Sequence, residues 1–137
     1  MEPKALTAEL SVSEQVQPGD VRAVKAAGFR TIICNRPDGE GPDQPTFEEI
    51  AMAARKEGLE IVYLPVDPSM VKDEDAADFD KALAELPGPV LAFCRTGTRC
   101  ATLWSLGQAG KRSLADILAA TKAAGYDMSG VVARIVS

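Results

Sequence analysis

Residues 89–100 read PVLAFCRTGTRC, and the fold turns on how that stretch is parsed. PVLAF is short, wholly apolar and preceded by the breakers Pro87 and Gly88, which suits a strand buried on both faces. Beyond the glycine and two threonines, Leu103, Trp104 and Leu106 fall at helical spacing. A strand that runs through a tight turn into a helix is the unit of a parallel α/β sheet.

The same alternation continues outward. RTIICN (30–35) and LEIVYLPV (59–66) read as further buried strands, and Leu10 to Val12 belong to a short leading one. Asp20 is placed to cap a helix through Val21, Val24 and Ala27 that Gly28 ends. Thr46 and Glu49 have capping-box spacing, ahead of Phe47, Ile50, Ala51 and Ala54 on one helical face. Residues 74–86 line up Phe79, Leu83 and Leu86, with an acidic, solvated first turn. Ser113 and Asp116 open another helix that Gly125 stops, and a last one begins near Ser129. Without repeats or low-complexity segments, residues 1–137 are expected to form a single α/β domain. Its mainly parallel sheet should have about four to five strands flanked by helices.

Composition narrows the function. The chain is 46% hydrophobic and 26% charged with a net charge of −5, so neither nucleic acid nor an anionic membrane is an expected partner. No run approaches the roughly 20 apolar residues of a membrane span. The start lacks the basic flank and apolar run of a secretory signal, and three cysteines make no disulfide framework, so a reducing cytoplasm is the expected compartment. The chain has no histidine, which excludes Ser-His-Asp triads, Cys-His pairs and His-bearing zinc sites. Cys34, Cys94 and Cys100 fit no standard zinc spacing, so neither metal nor cofactor is expected.

In such sheets ligands sit beyond the carboxyl ends of the strands. Loops 35–45, 67–73 and 94–99 should therefore share one edge. Cys94, at a strand end before a helix, faces unpaired backbone N–H groups and the positive end of the helix dipole. Arg95 and Arg99 add whole positive charges, so the thiolate is favoured. Gly97 permits a turn with N–H groups aimed inward as an anion nest, and Thr96 and Thr98 offer hydroxyls to the same centre. Cys34 and Trp104 read as core.

FCRTGTR, together with IICNRPDGEGPDQPTFEEI and GLEIVYLPVD upstream, resembles the phosphatase-like domain of the β-lactamase hydrolase-like proteins, over about residues 7–110. That resemblance implies a dual-specificity-phosphatase-like fold, in a family whose members carry phosphatase, hydrolase and sulfurtransferase labels. Some members fuse this domain to a metallo-β-lactamase-type persulfide dioxygenase, an activity that a chain without histidine does not itself contain. The phosphatase signature is His-Cys, five residues, then Arg. Here Phe93 precedes Cys94, four residues separate it from Arg99, and Cys100 stands where the phosphatase arginine would be. The six-residue CRTGTR is similar to the rhodanese loop, which cradles one persulfide sulfur.

The leading expectation is therefore a sulfurtransferase. Cys94 would take sulfur from thiosulfate or a small persulfide and pass it to a thiol acceptor, with Arg95 and Arg99 neutralising the anionic donor. A separate persulfide dioxygenase is a candidate partner. The alternative is a cysteine-dependent phosphatase with Asp67, on the neighbouring loop, as general acid; the same residue also reads as an ordinary turn cap. A non-catalytic module binding an anion or a thiol is the third reading. Arg36 is expected to bind substrate or to brace the loops through Asp38 or Asp67. Cys100 is a candidate resolving thiol for an oxidised Cys94, or a core residue beneath the loop.

Overall fold

In the computed structural model, which describes residues 1–136, the sheet is built from β1 (Lys4–Ala5), β2 (Leu10–Ser13), β3 (Thr31–Cys34), β4 (Glu60–Tyr63) and β5 (Val90–Phe93). The strand order is β1-β2-β5-β3-β4, with β5 in the middle. It pairs in parallel with β2 on one side and β3 on the other, β4 extends the parallel set, and only β1 runs antiparallel. Central position explains the composition of PVLAF. Val90 to Phe93 are all buried, because a strand covered on both faces has no solvent side to make polar.

Six helices cover the sheet: α1 (Val21–Ala26), α2 (Phe47–Lys56), α3 (Asp73–Glu85), α4 (Thr98–Gly107), α5 (Leu114–Ala123) and α6 (Ser129–Val136). Successive strand residues point to opposite faces, so each strand feeds two cores. Ile32, Cys34, Leu91 and Phe93 pack with Val21 and Val24 of α1 and Ile50 and Ala54 of α2. Ile33, Val90, Ala92 and Cys94 face the other way, onto Phe79 of α3, Leu103 and Trp104 of α4 and Ile117 of α5. Each fully buried Ile or Phe contributes roughly 1.5–3 kcal/mol relative to exposure.

Local signals act as the sequence suggests at several boundaries. The Thr46 hydroxyl accepts from the Glu49 N–H at 3.2 Å, and the Ser113 hydroxyl from the Asp116 N–H at 3.1 Å. Asp20 differs. It closes a single 3-10 turn (Pro18–Asp20), and its carboxylate accepts from the Gln17 N–H at 2.8 Å rather than capping α1. The two-residue edge strand β1 carries no alternation long enough to be read from sequence. Among the described residues no helix is long and apolar enough to cross a membrane, and no cluster of His, Cys, Asp or Glu could hold a metal ion.

Candidate active site

β5 ends at Phe93, and Cys94 is the next residue, held where the Cys94 N–H reaches the Ser13 carbonyl at 3.4 Å. The chain then turns through Arg95, Thr96 and Gly97 into α4. Gly97 sits at φ +93, a left-handed conformation that a side chain would strain. A Cβ there would also run into the Tyr126 hydroxyl. The turn brings the Gly97 N–H to the Cys94 sulfur at 3.1 Å.

Cys94 is buried, yet its pKa is pulled down to about 5 from 9.0. The largest cause is a hydrogen bond from the Cys100 thiol, reinforced by the main-chain N–H groups of Cys100, Thr96 and Gly97. Burial opposes them and loses. Cys94 is therefore a thiolate at neutral pH, the reactive form of the residue. Cys100, on the first turn of α4, is wholly buried, and burial first and then the Cys94 charge hold its own pKa well above 9.0. The Cys100 thiol, whose single proton serves one acceptor at a time, also has Asn35 Oδ1 within 3.2 Å, and Asn35 is oriented by its Nδ2, which donates to the Leu64 carbonyl at 2.9 Å.

The two arginines of the loop part company. Arg95 is exposed at the rim of the Cys94 cavity, and its guanidinium has no hydrogen-bond or ion-pair partner among the described residues. Arg99 turns inward. It donates from Nη1 to the Asn35 and Val66 carbonyls at 3.2 and 3.1 Å, and from Nη2 to Glu40 at 2.9 Å, while its buried Nε has no partner. Arg99 thus binds three loops together, and both its terminal nitrogens are engaged. Arg36 braces the same junction, donating to Glu40 at 3.1 Å and to Gln15 at 2.9 Å, so its partners are neither Asp38 nor Asp67. Partial burial alone would raise the Glu40 carboxyl, but the Arg99 and Arg36 hydrogen bonds outweigh it and keep it low.

Asp67 has the geometry of the turn cap. It is fully exposed, and its Oδ1 accepts from the Ser69 N–H at 2.9 Å and hydroxyl at 2.8 Å, which holds its carboxyl below the ordinary value. The Thr96 and Thr98 hydroxyls lie at the surface and bond to each other at 3.1 Å. Pro68 and Val71 supply an apolar wall to the Cys94 cavity, which measures about 250 Å³. The three loops expected at one edge do meet: 67–73 lines the cavity of 94–99, and Glu40 of 35–45 holds Arg99. Cys34 is core, buried with its pKa pushed up to about 12, foremost by desolvation.

Two residues escape a sequence reading. Glu40 sits in a loop with five other charged or polar side chains and nothing in its spacing marks it. Tyr126 reaches back from the α5–α6 turn to donate its hydroxyl to the Thr96 carbonyl at 3.2 Å, and no local pattern signals a contact that distant.

Comparisons with known proteins bear on the family and the fold. The sequence model of the beta-lactamase hydrolase-like protein, phosphatase-like domain, matches residues 2–111. A beta-lactamase hydrolase-like protein of Agrobacterium fabrum is 36% identical over 121 residues, and its counterpart in Xylella fastidiosa is 33% identical over 125. These alignments cover 87% and 90% of this chain but only 28% and 29% of the relatives, so the chain spans less than a third of their length. A crystal structure from Neisseria meningitidis, described as a candidate phosphatase, superposes with a TM-score of 0.87 at 32% identity, covering 96% of this chain and 94% of that one. Human DUSP28 matches at a TM-score of 0.62 and 17% identity, covering 98% and 93%, a likeness of fold alone.

Proposed function

This chain belongs to the family of the phosphatase-like domain of beta-lactamase hydrolase-like proteins, and from that premise we propose that it is a cysteine-dependent phosphatase acting on small phosphoesters. The observation that carries the reading is Cys94 itself, a thiolate at neutral pH at the end of the central strand of a phosphatase-like fold. The thiolate attacks phosphorus, and the bond to the leaving oxygen breaks with its electron pair going to that oxygen. Water then attacks the phosphocysteine, freeing inorganic phosphate and the thiolate. Arg95, unpaired among the described residues, and the exposed Thr96 and Thr98 line the same cavity and would meet the non-bridging oxygens there.

Asp67 is held ionised and has no proton to give. The reaction therefore suits leaving groups that depart as stable anions, such as aryl oxides or a second phosphate, over simple alkoxides. The test is release of nitrophenol from p-nitrophenyl phosphate by the wild-type chain and by Cys94→Ser. A rate that falls by at least about a thousandfold in the variant supports the proposal. Turnover that survives the substitution, or none in the wild type, sinks it.

A second reading, sulfur transfer through a Cys94 persulfide, is favoured by two observations. Only four residues separate Cys94 from Arg99, and both terminal nitrogens of Arg99 are engaged elsewhere. In that reading the partners are a small anionic sulfur donor, a thiol acceptor and a separate persulfide dioxygenase. Its mark is a gain of about 32 Da on Cys94 after thiosulfate, removed by cyanide.

A further inference from the structure

One peptide unit of the Cys94 loop has both of its polar ends engaged. The Gly97 N–H donates to the Cys94 sulfur at 3.1 Å. At the other end of the same peptide, the Thr96 carbonyl accepts from the Tyr126 hydroxyl at 3.2 Å. In a trans peptide the N–H and C=O point in opposite directions, so whatever holds the carbonyl also aims the N–H. The loop supplies no such hold of its own. Gly97 stands at φ +93, and glycine takes positive and negative φ about equally well, so turning this peptide over costs little. The overturned peptide would face the sulfur with a carbonyl oxygen, which disfavours a thiolate.

Tyr126 reaches this peptide from outside the loop. Its own N–H closes the end of α5 on the Thr121 carbonyl at 2.9 Å, and its ring packs on the core that contains Cys94, Leu103 and Ile117. The hydroxyl rests against Gly97 so closely that a Cβ there would collide with it. Burial first, and then the Cys94 charge, hold its pKa above 10.0, so it keeps its proton and remains a donor. A phenylalanine would fill the same space, and only the hydroxyl reaches the carbonyl.

We propose that Tyr126 is a positioning residue of the Cys94 site, its hydroxyl locking the Thr96–Gly97 peptide with the N–H turned toward the sulfur. It acts through the main chain and makes no bond to the sulfur itself. Its service to catalysis rests on the phosphatase reading; its hold on the sulfur does not, and alkylation detects that hold without turnover.

The wild-type chain, Tyr126→Phe and Tyr126→Ala are reacted with iodoacetamide from about pH 4 to about pH 8, with circular dichroism confirming the fold. The adduct is followed on tryptic peptide 82–95, which carries Cys94 as its single cysteine. The other titratable or charged groups around Cys94 are Cys34 of β3, Arg95 of the turn, and Arg99 and Cys100 of α4. All are unchanged in both variants, so a shift belongs to the tyrosine. Tyr126→Phe should raise the midpoint of the rate profile by about half a pH unit, reacting about twofold more slowly at pH 5 and at the wild-type rate above about pH 7. Tyr126→Ala should show the same midpoint, since the lost hydroxyl is common to both. An unchanged midpoint in Tyr126→Phe overturns the proposal, because the ring alone then matters. A rate lowered equally at every pH overturns it too, since that reports access to the sulfur and not its charge. A shifted midpoint in a chain that hydrolyses no p-nitrophenyl phosphate would sink the phosphatase reading and still support the lock.

Discussion

Cys34 and Cys94 finish two neighbouring parallel strands, one register step apart: Cys34 lies opposite Phe93, and Cys94 follows it. Both are buried, neither is in a disulfide among the described residues, and their pKa values are about 12 and about 5. Burial pushes both upward, so burial is not what separates them. The difference is how many hydrogen bonds oppose burial. Cys34 has one, with the main chain of Arg36, and it is too little to offset desolvation. Cys94 receives N–H groups from the turn and a thiol proton from Cys100, which suit the thiolate. A half-turn of pleat thus decides whether a buried cysteine is inert or reactive.

The comparison breaks most visibly under substitution of the two sulfurs. Cys94→Ser should cost at least about a thousandfold in turnover of an aryl phosphate, while Cys34→Ser should change it less than about twofold. Equal losses in steady-state assays of the two folded variants would dissolve the distinction. Next in size is Gly97→Ala. It strains a φ of +93, meets the Tyr126 hydroxyl and pulls an N–H off the sulfur, so kcat should fall by roughly ten- to a hundredfold.

Cys100→Ala removes the largest stabiliser of the thiolate. A depressed pKa means that the reactive form exists above about 5 and is lost as pH falls through it. The acid limb of the rate profile should accordingly move up by about one pH unit in Cys100→Ala, with the plateau above it nearly unchanged. Cys100→Ser, which keeps a donor, should move it less. The smallest effect belongs to Asp67→Asn. An exposed carboxylate already ionised supplies no proton, so the rate on an aryl phosphate should stay within about twofold, and a loss of about a hundredfold would make Asp67 the general acid after all.

Most of the fold was legible because its signals are local or periodic. PVLAF announces a strand buried on both faces, RTIICN and LEIVYLPV two further strands, and Gly97 and the strand-end position point to Cys94 as the activated sulfur. Side-chain partners chosen across the fold were not legible. Arg36 and Arg99 had carboxylates to choose from in two loops, 35–45 and 67–73, and only the folded arrangement selects Glu40. The sequence puts Arg99 in the anion loop, whereas its guanidinium tethers two other loops, and of the two arginines Arg95 is the one without a partner among the described residues. Tyr126, brought to Thr96 from the α5–α6 turn, lies beyond any local pattern for the same reason.

The central claim is that Cys94 is ionised at neutral pH while Cys34 is not. The most direct measurement is the difference in ultraviolet thiolate absorbance between the wild-type chain and Cys94→Ser, followed from about pH 4 to about pH 10. The account predicts a single step centred near 5 in the difference and none attributable to Cys34 in that range. A difference that stays flat until about pH 8 and then rises, as for a free thiol, would contradict it.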